Sequence, residues 1–174
     1  MMNVRDTLST AVFYLGVFLL FYGMVRFGAT YGWEGVDERF REMEPTIKRN
    51  HHYWVDKRFN DPSKLVYEDI IMYERPLSKR SVFRYEFGRV VGRPGDVVEL
   101  KEGKLFRAER LPDGLGKRQM IAEHYAHARR YRARFDRFMV PRDTVLVLYD
   151  DRNECPPISD LLVPKRAIYG KVIR

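Results

Sequence analysis

A chain of 174 residues with 45% apolar and 14% aromatic residues is long enough for one domain with a buried core and too apolar to stay disordered. Its single cysteine, Cys155, excludes an internal disulfide framework and cannot by itself build a zinc site, so neither a staple nor a metal nor any other cofactor is implied. The net charge of +8 and an isoelectric point near 9.6 favour a negatively charged neighbour, whether nucleic acid, anionic lipid or an acidic protein surface.

The N-terminus narrows that choice. No charged residue occurs from Thr7 to Val25, and the run TLSTAVFYLGVFLLFYGMV, at about 1.5 Å per helical residue, spans roughly the 30 Å hydrocarbon layer. A transmembrane anchor is predicted over residues 1–28, with Tyr22, Tyr31 and Trp33 as an interfacial aromatic belt. A cleavable leader, with Gly28-Ala29-Thr30 as its junction, is the weaker reading because its apolar core would be shorter. An anchored chain is expected to meet other integral membrane proteins, with Gly16 and Gly23 allowing close helix approach, and to place anionic lipid or acidic protein above nucleic acid as the partner of its basic surface.

Residues 29–174 read as one β domain. GWEGVDERFREM is predicted to be a short helix or linker that lifts the chain off the bilayer. The stretches YWV, LVYEDIIMYE, FRYEFGRVV, DVVELKEGKLFRA, DTVLVLYD and AIYGKVI are rich in β-branched and aromatic residues and are broken by Pro, Gly, Asp and Asn, which predicts antiparallel strands. Lys101-Glu102-Gly103 is a hairpin candidate in which Gly103 supplies a positive φ. One segment breaks the rhythm. Residues 120–138 lack Pro and Gly and set Ile121, Tyr125, Ala128 and Phe135 near one face, predicting an inserted helix whose other side carries Arg129, Arg130, Arg132, Arg134 and Arg137 as a basic contact face. His124 and His127 with Glu123, and His51-His52 with Asp56, are loose sets without a compelling ligand pattern, so no metal site is assigned.

Four stretches resemble, in order, the boxes of the type I signal peptidases, membrane-anchored serine proteases that remove leader peptides. EMEPTI from Glu42 is similar to that family's Ser-Met-x-Pro-Thr-Leu box, and Glu68-Asp69-Ile70-Ile71 stands for its Gly-Asp-Ile-Val. GRVVGRPGDVVEL from Gly88 resembles the Lys-Arg-x-x-Gly-x-Pro-Gly-Asp box, and the closing region from Val140 resembles a Gly-Asp-Asn-Arg turn followed by Val-Pro and a terminal Ile-x-Gly-Lys strand. The resemblance implies a mainly β, barrel-like antiparallel domain behind one transmembrane helix, in the bacterial inner membrane with the domain on the periplasmic face. The basic flanks oppose that placement, since Arg5 alone precedes the helix while Arg26, Arg39, Arg41, Lys48 and Arg49 follow it. Pro45, Pro94 and Gly95 match the family's turn residues, and Asp96 and Arg152 are expected to serve structure through turn hydrogen bonds and an ion pair.

The chemistry is a different matter. The family's nucleophile position is Glu42 and its base position is Gly88, followed by Arg89, which stays protonated. No catalytic residue is therefore assigned, and the sequence predicts a pseudoenzyme serving as a structural or assembly subunit of a membrane complex. A noncleaving chaperone for leader or pilin-type peptides is the alternative. A third reading, a peptidase with relocated chemistry, would have to draw on Ser78, Lys79 and Ser81 or on Asp150-Asp151, which read more simply as a loop and a turn. The closing turn also carries Tyr149 and Asp151 in place of the family's glycine and asparagine.

Overall fold

The computed structural model describes residues 4–36, 40–75, 85–111, 113–121, 135–151 and 157–173, with side chains placed from residue 10 onward except at Arg110. Helix α1 (Val4–Thr30) opens the chain. Within it, Thr10–Thr30 is long and apolar enough to cross a membrane, and none of that span is buried against the rest of the molecule. Phe13, Leu20 and Phe21 are each more than 60% exposed, an apolar surface that water would penalise and lipid would not.

Thirteen strands follow among the described residues. They are β1 (Tyr31–Gly35), β2 (His52–Asp56), β3 (Ile70–Glu74), β4 (Tyr85–Gly92), β5 (Val97–Lys101), β6 (Lys104–Ala108), β7 (Arg110–Leu111), β8 (Gly114–Leu115), β9 (Gln119–Met120), β10 (Phe135–Met139), β11 (Thr144–Leu148), β12 (Leu162–Pro164) and β13 (Ile168–Ile173), with the short helix α2 (Ile158–Leu161) before β12. They form a seven-stranded sheet in the order β1-β2-β13-β3-β4-β11-β12, a four-stranded sheet β10-β5-β6-β9 and the small pair β7-β8, with every pairing antiparallel. The domain is mainly β, and among the described residues its sheets do not close into a barrel.

The middle of the large sheet, around β3, β4 and β11, is buried on both faces. One face joins the turn around Met43 and Ile47 and the small sheet in a core that includes Phe87, Val98, Leu100 and Leu146. The other gathers Ile71, Tyr73, Val90, Val147 and Val163 under Leu65 and Phe59. This explains why β4 and β11 read as nearly continuous apolar runs rather than alternating ones. The 5–6 hairpin forms as the sequence predicts, with Lys101 opposite Lys104 and both Glu102 (φ 55°) and Gly103 (φ 73°) in the left-handed region that a two-residue primed turn requires.

Two expectations are corrected. GWEGV is no linker, because Tyr31–Gly35 follows α1 without a break and pairs along its whole length with β2. The predicted helix over 120–138 is also wrong at both ends. Met120 belongs to β9 and Phe135–Met139 to β10, while residues 122–134, including Glu123, His124, Tyr125, His127, Ala128, Arg129, Arg130, Arg132 and Arg134, lie outside the described residues. The pairing of β10 with β5 shifts register between Phe135 and Phe138, so a bulge brings two aromatic residues three apart onto the same core, a spacing that mimics helical periodicity. Arg137 is exposed on that strand.

Candidate functional site

The turn from Glu42 to Ile47 is held from inside. Met43 and Ile47 are fully buried, and the Ile47 amide donates to the Met43 carbonyl at 2.9 Å. The Glu44-Pro45 peptide is cis, and the Arg49 guanidinium meets Glu44 at 2.7 Å. Glu42 is half-buried; its carboxylate accepts from the Arg41 amide at 2.8 Å and its carbonyl accepts from the Asp151 amide at 2.8 Å. The first box is thereby tied to the closing turn.

A buried ion pair makes the second tie. Arg89 on β4 is 3% exposed, and its Nε and Nη2 donate to the two carboxylate oxygens of Asp150 at 2.8 and 2.6 Å. The same guanidinium donates to the Glu68 carbonyl at 3.1 Å and to Thr46 Oγ1 at 3.3 Å, so one side chain of the third box reaches all three of the others. Asp150 and Asp151 thus separate into a buried ion-pair partner and a backbone contact of Glu42, with no shared acid and base geometry.

Gly88 lies next to Arg89 on β4, opposite Ile71. A β-carbon at Gly88 would sit 2.8 Å from Val147 Cβ and 3.2 Å from Tyr73 Cε1, both fully packed side chains. No amine could project from this position without moving β11.

Two residues before Gly88, and therefore on the same face of the strand, stands a polar cluster that the sequence reading missed. Glu86 is 4% exposed and accepts from Tyr149 at 2.8 Å, from Tyr73 at 3.3 Å and from Arg75 at 2.9 Å, while Arg75 also bridges to Asp160. The signal in the sequence was a charge at Glu86 in a strand of mostly apolar residues, where Arg89 is the other charge. Burial, then the Tyr149 and Glu86 charges, pushes the Tyr73 hydroxyl well above its ordinary value; burial, then Glu86, does the same for Tyr149. Both phenols stay protonated at neutral pH and serve as donors, not as nucleophiles. Because the folded chain holds these protons to higher pH than the unfolded chain, the stability they add is complete below the unfolded tyrosine value of about 10 and is lost as pH rises beyond it. Thermal melts followed by circular dichroism are expected to show a falling midpoint above about pH 10, with a smaller alkaline loss in Tyr149→Phe.

Pro94-Gly95 forms the tight turn between β4 and β5, with Gly95 at φ 87° and the Asp96 amide donating to the Arg93 carbonyl at 3.0 Å. Asp96 is 2% exposed and accepts from the Arg93 amide at 2.7 Å and the Tyr67 hydroxyl at 3.0 Å. Arg152, Ser78, Lys79, Ser81 and Cys155 lie outside the described residues. Among the described residues no three His, Cys, Asp or Glu side chains are grouped to hold a metal, and His52 stacks on Trp33 at 5.6 Å instead.

The family model of the signal peptidases, peptidase S26, matches residues 10–156, well over half of the chain. The protein belongs to the signal peptidase family. No curated protein matched it. In this signal peptidase relative Glu42 is folded onto backbone, Gly88 is enclosed by β11, and the pair of Arg89 with Asp150 joins β4 to the closing region.

Proposed function

We propose that the protein is a noncatalytic member of its family, a single-pass membrane subunit that uses the peptidase fold as a platform within a larger membrane complex. The observation that carries this reading is the enclosure of Gly88, because a missing base is repairable by a single substitution only where its side chain has room. An acyl transfer mechanism needs a nucleophile and a base within hydrogen-bond reach, and deletion of one such member in a serine protease costs on the order of a millionfold in turnover.

The anchor supports the membrane placement. Phe27, in the last turn of α1, packs edge-on against Trp54 at 5.5 Å, and Trp33, Trp54 and Ile173 lie opposite one another across β1, β2 and β13, exposed at 55%, 41% and 41%. An exposed aromatic row continuous with an apolar helix fits the water interface of a bilayer. We place the domain on the periplasmic side of a bacterial inner membrane, by analogy with the family. The net charge of +8 suits an acidic protein partner or anionic lipid.

Gentle detergent extraction tests the assignment. Stoichiometric comigration with integral membrane proteins is the expected result. A chain that migrates alone and captures leader or pilin-type peptides would instead establish the chaperone reading.

A further inference from the structure

A cleft of about 470 Å³ opens beside the end of α1 that meets β1. Its wall begins at Tyr31, the residue that follows α1, and reaches Ile173 at the end of the exposed aromatic row. The backbone fixes this location, since the Lys57 amide donates to the Thr30 carbonyl at 2.9 Å. A cleft so placed lies at head-group depth if α1 spans the bilayer, and the inference rests on that reading.

The charges inside do not balance. Arg58 is paired with Asp56 at 2.6 Å and Lys171 with Asp69 at 2.7 Å. The hydrogen bond from Arg58 holds the Asp56 carboxyl below the usual carboxylate range, as suits a tight pair. Glu68 is left over: it lines the cleft, is exposed, and its carboxylate has no hydrogen-bond or ion-pair partner among the described residues. Arg58 commits Nε and Nη2 to Asp56 and Tyr31, while its Nη1 has no such partner and its side chain is 61% exposed. The cleft lining therefore includes a carboxylate and a guanidinium donor that no described residue engages.

Glu68 is also held in a conformation that disfavours it. Val66–Asp69 is a turn, with the Asp69 amide donating to the Val66 carbonyl at 3.3 Å, and Glu68 occupies its third position at φ 72°. That position of a type II turn asks for glycine, and the family box carries glycine there. The conformation cannot relax, because the Glu68 amide donates to the Val90 carbonyl at 2.9 Å and its carbonyl accepts from Arg89. A glutamate that costs backbone strain, meets no partner among the described residues and lines a cleft is explained by what it binds.

We propose that this cleft binds the head group of an amine-bearing zwitterionic phospholipid, with the ammonium on Glu68 and the phosphate on Arg58. A primary ammonium donates hydrogen bonds to a carboxylate, which a quaternary choline cannot. An anionic lipid would meet the excess carboxylate unfavourably.

The test uses the full chain in nanodiscs of phosphatidylethanolamine, phosphatidylcholine and phosphatidylglycerol in equal parts, followed by native mass spectrometry of the lipids that remain bound. Wild type is expected to retain the ethanolamine lipid several-fold over the choline lipid, and Glu68→Gln to retain them equally. Glu68→Gly should lose the preference too while melting about 2 °C higher, since relieved strain stabilises the turn. Equal retention by wild type, a preference that survives in Glu68→Gln, or a preference for the glycerol lipid would overturn the proposal. A basic peptide competing the ethanolamine lipid off through Glu68 would reassign the cleft to protein and overturn it as well. A chain that does not enter the discs removes the membrane reading itself, whereas one that enters without lipid preference removes only this site.

Discussion

Asp150→Ala is expected to cost about 3–5 kcal/mol of folding stability, the range found when one partner of a buried ion pair is removed. The reason is the guanidinium left behind. Arg89 is 3% exposed and Asp150 is 7% exposed, so water cannot replace the two lost charge-assisted bonds of 2.8 and 2.6 Å. The neutral acceptors that Arg89 retains, the Glu68 carbonyl at 3.1 Å and Thr46 Oγ1 at 3.3 Å, compensate little. Against a total of about 5–15 kcal/mol for an ordinary domain, such a loss leaves a marginal fold. Replacing both partners by apolar residues of similar size should cost far less, because no charge is then stranded. Denaturant unfolding of the detergent-solubilised chain measures both variants, and an equal cost for the single and double changes would contradict this account.

Restoring the family's reagents should fail for a steric reason. Glu42→Ser changes a half-buried turn residue and is expected to leave the fold intact, whereas Gly88→Lys drives a β-carbon to 2.8 Å from Val147 Cβ. Val147 is fully buried and paired through β11 with β4, so the clash falls on a packed branch point rather than on a flexible tip. Overpacking of this kind costs about 1–3 kcal/mol, and a buried amine adds a desolvation cost to it. The double variant is therefore expected to melt lower than wild type and to cleave no leader peptide, and adding Val147→Ala should return part of the stability. Cleavage by the double variant at native stability would show that the enclosure of Gly88 yields easily.

Much of this was legible in the residues. The apolar run of α1, the Glu102-Gly103 turn and the Arg93–Asp96 turn are local, and their signals are local too: absence of charge, a glycine between two apolar stretches, a Pro-Gly dipeptide. What stayed hidden depends on partners distant in the chain. Phe135 and Phe138 sit three apart, which reads as a helix until a bulge against β5 is known. Tyr31–Gly35 looked like a linker because only its pairing with β2 makes it a strand. Glu86 shows nothing in sequence of the tyrosines at positions 73 and 149 that close over it. The strain at Glu68 arises from a backbone angle, which composition does not carry.

The central claim is that the two reacting positions hold no nucleophile and no base. Incubating the purified wild-type chain, in detergent with lipid, with an exported precursor and following release of its leader over hours tests that claim most directly. The account predicts no cleavage above the rate without protein across pH 6 to about 10, the window in which the buried phenols of Tyr73 and Tyr149 keep their protons. Cleavage at the processing junction, with turnover and loss of activity on changing a single side chain of this protein, would contradict it.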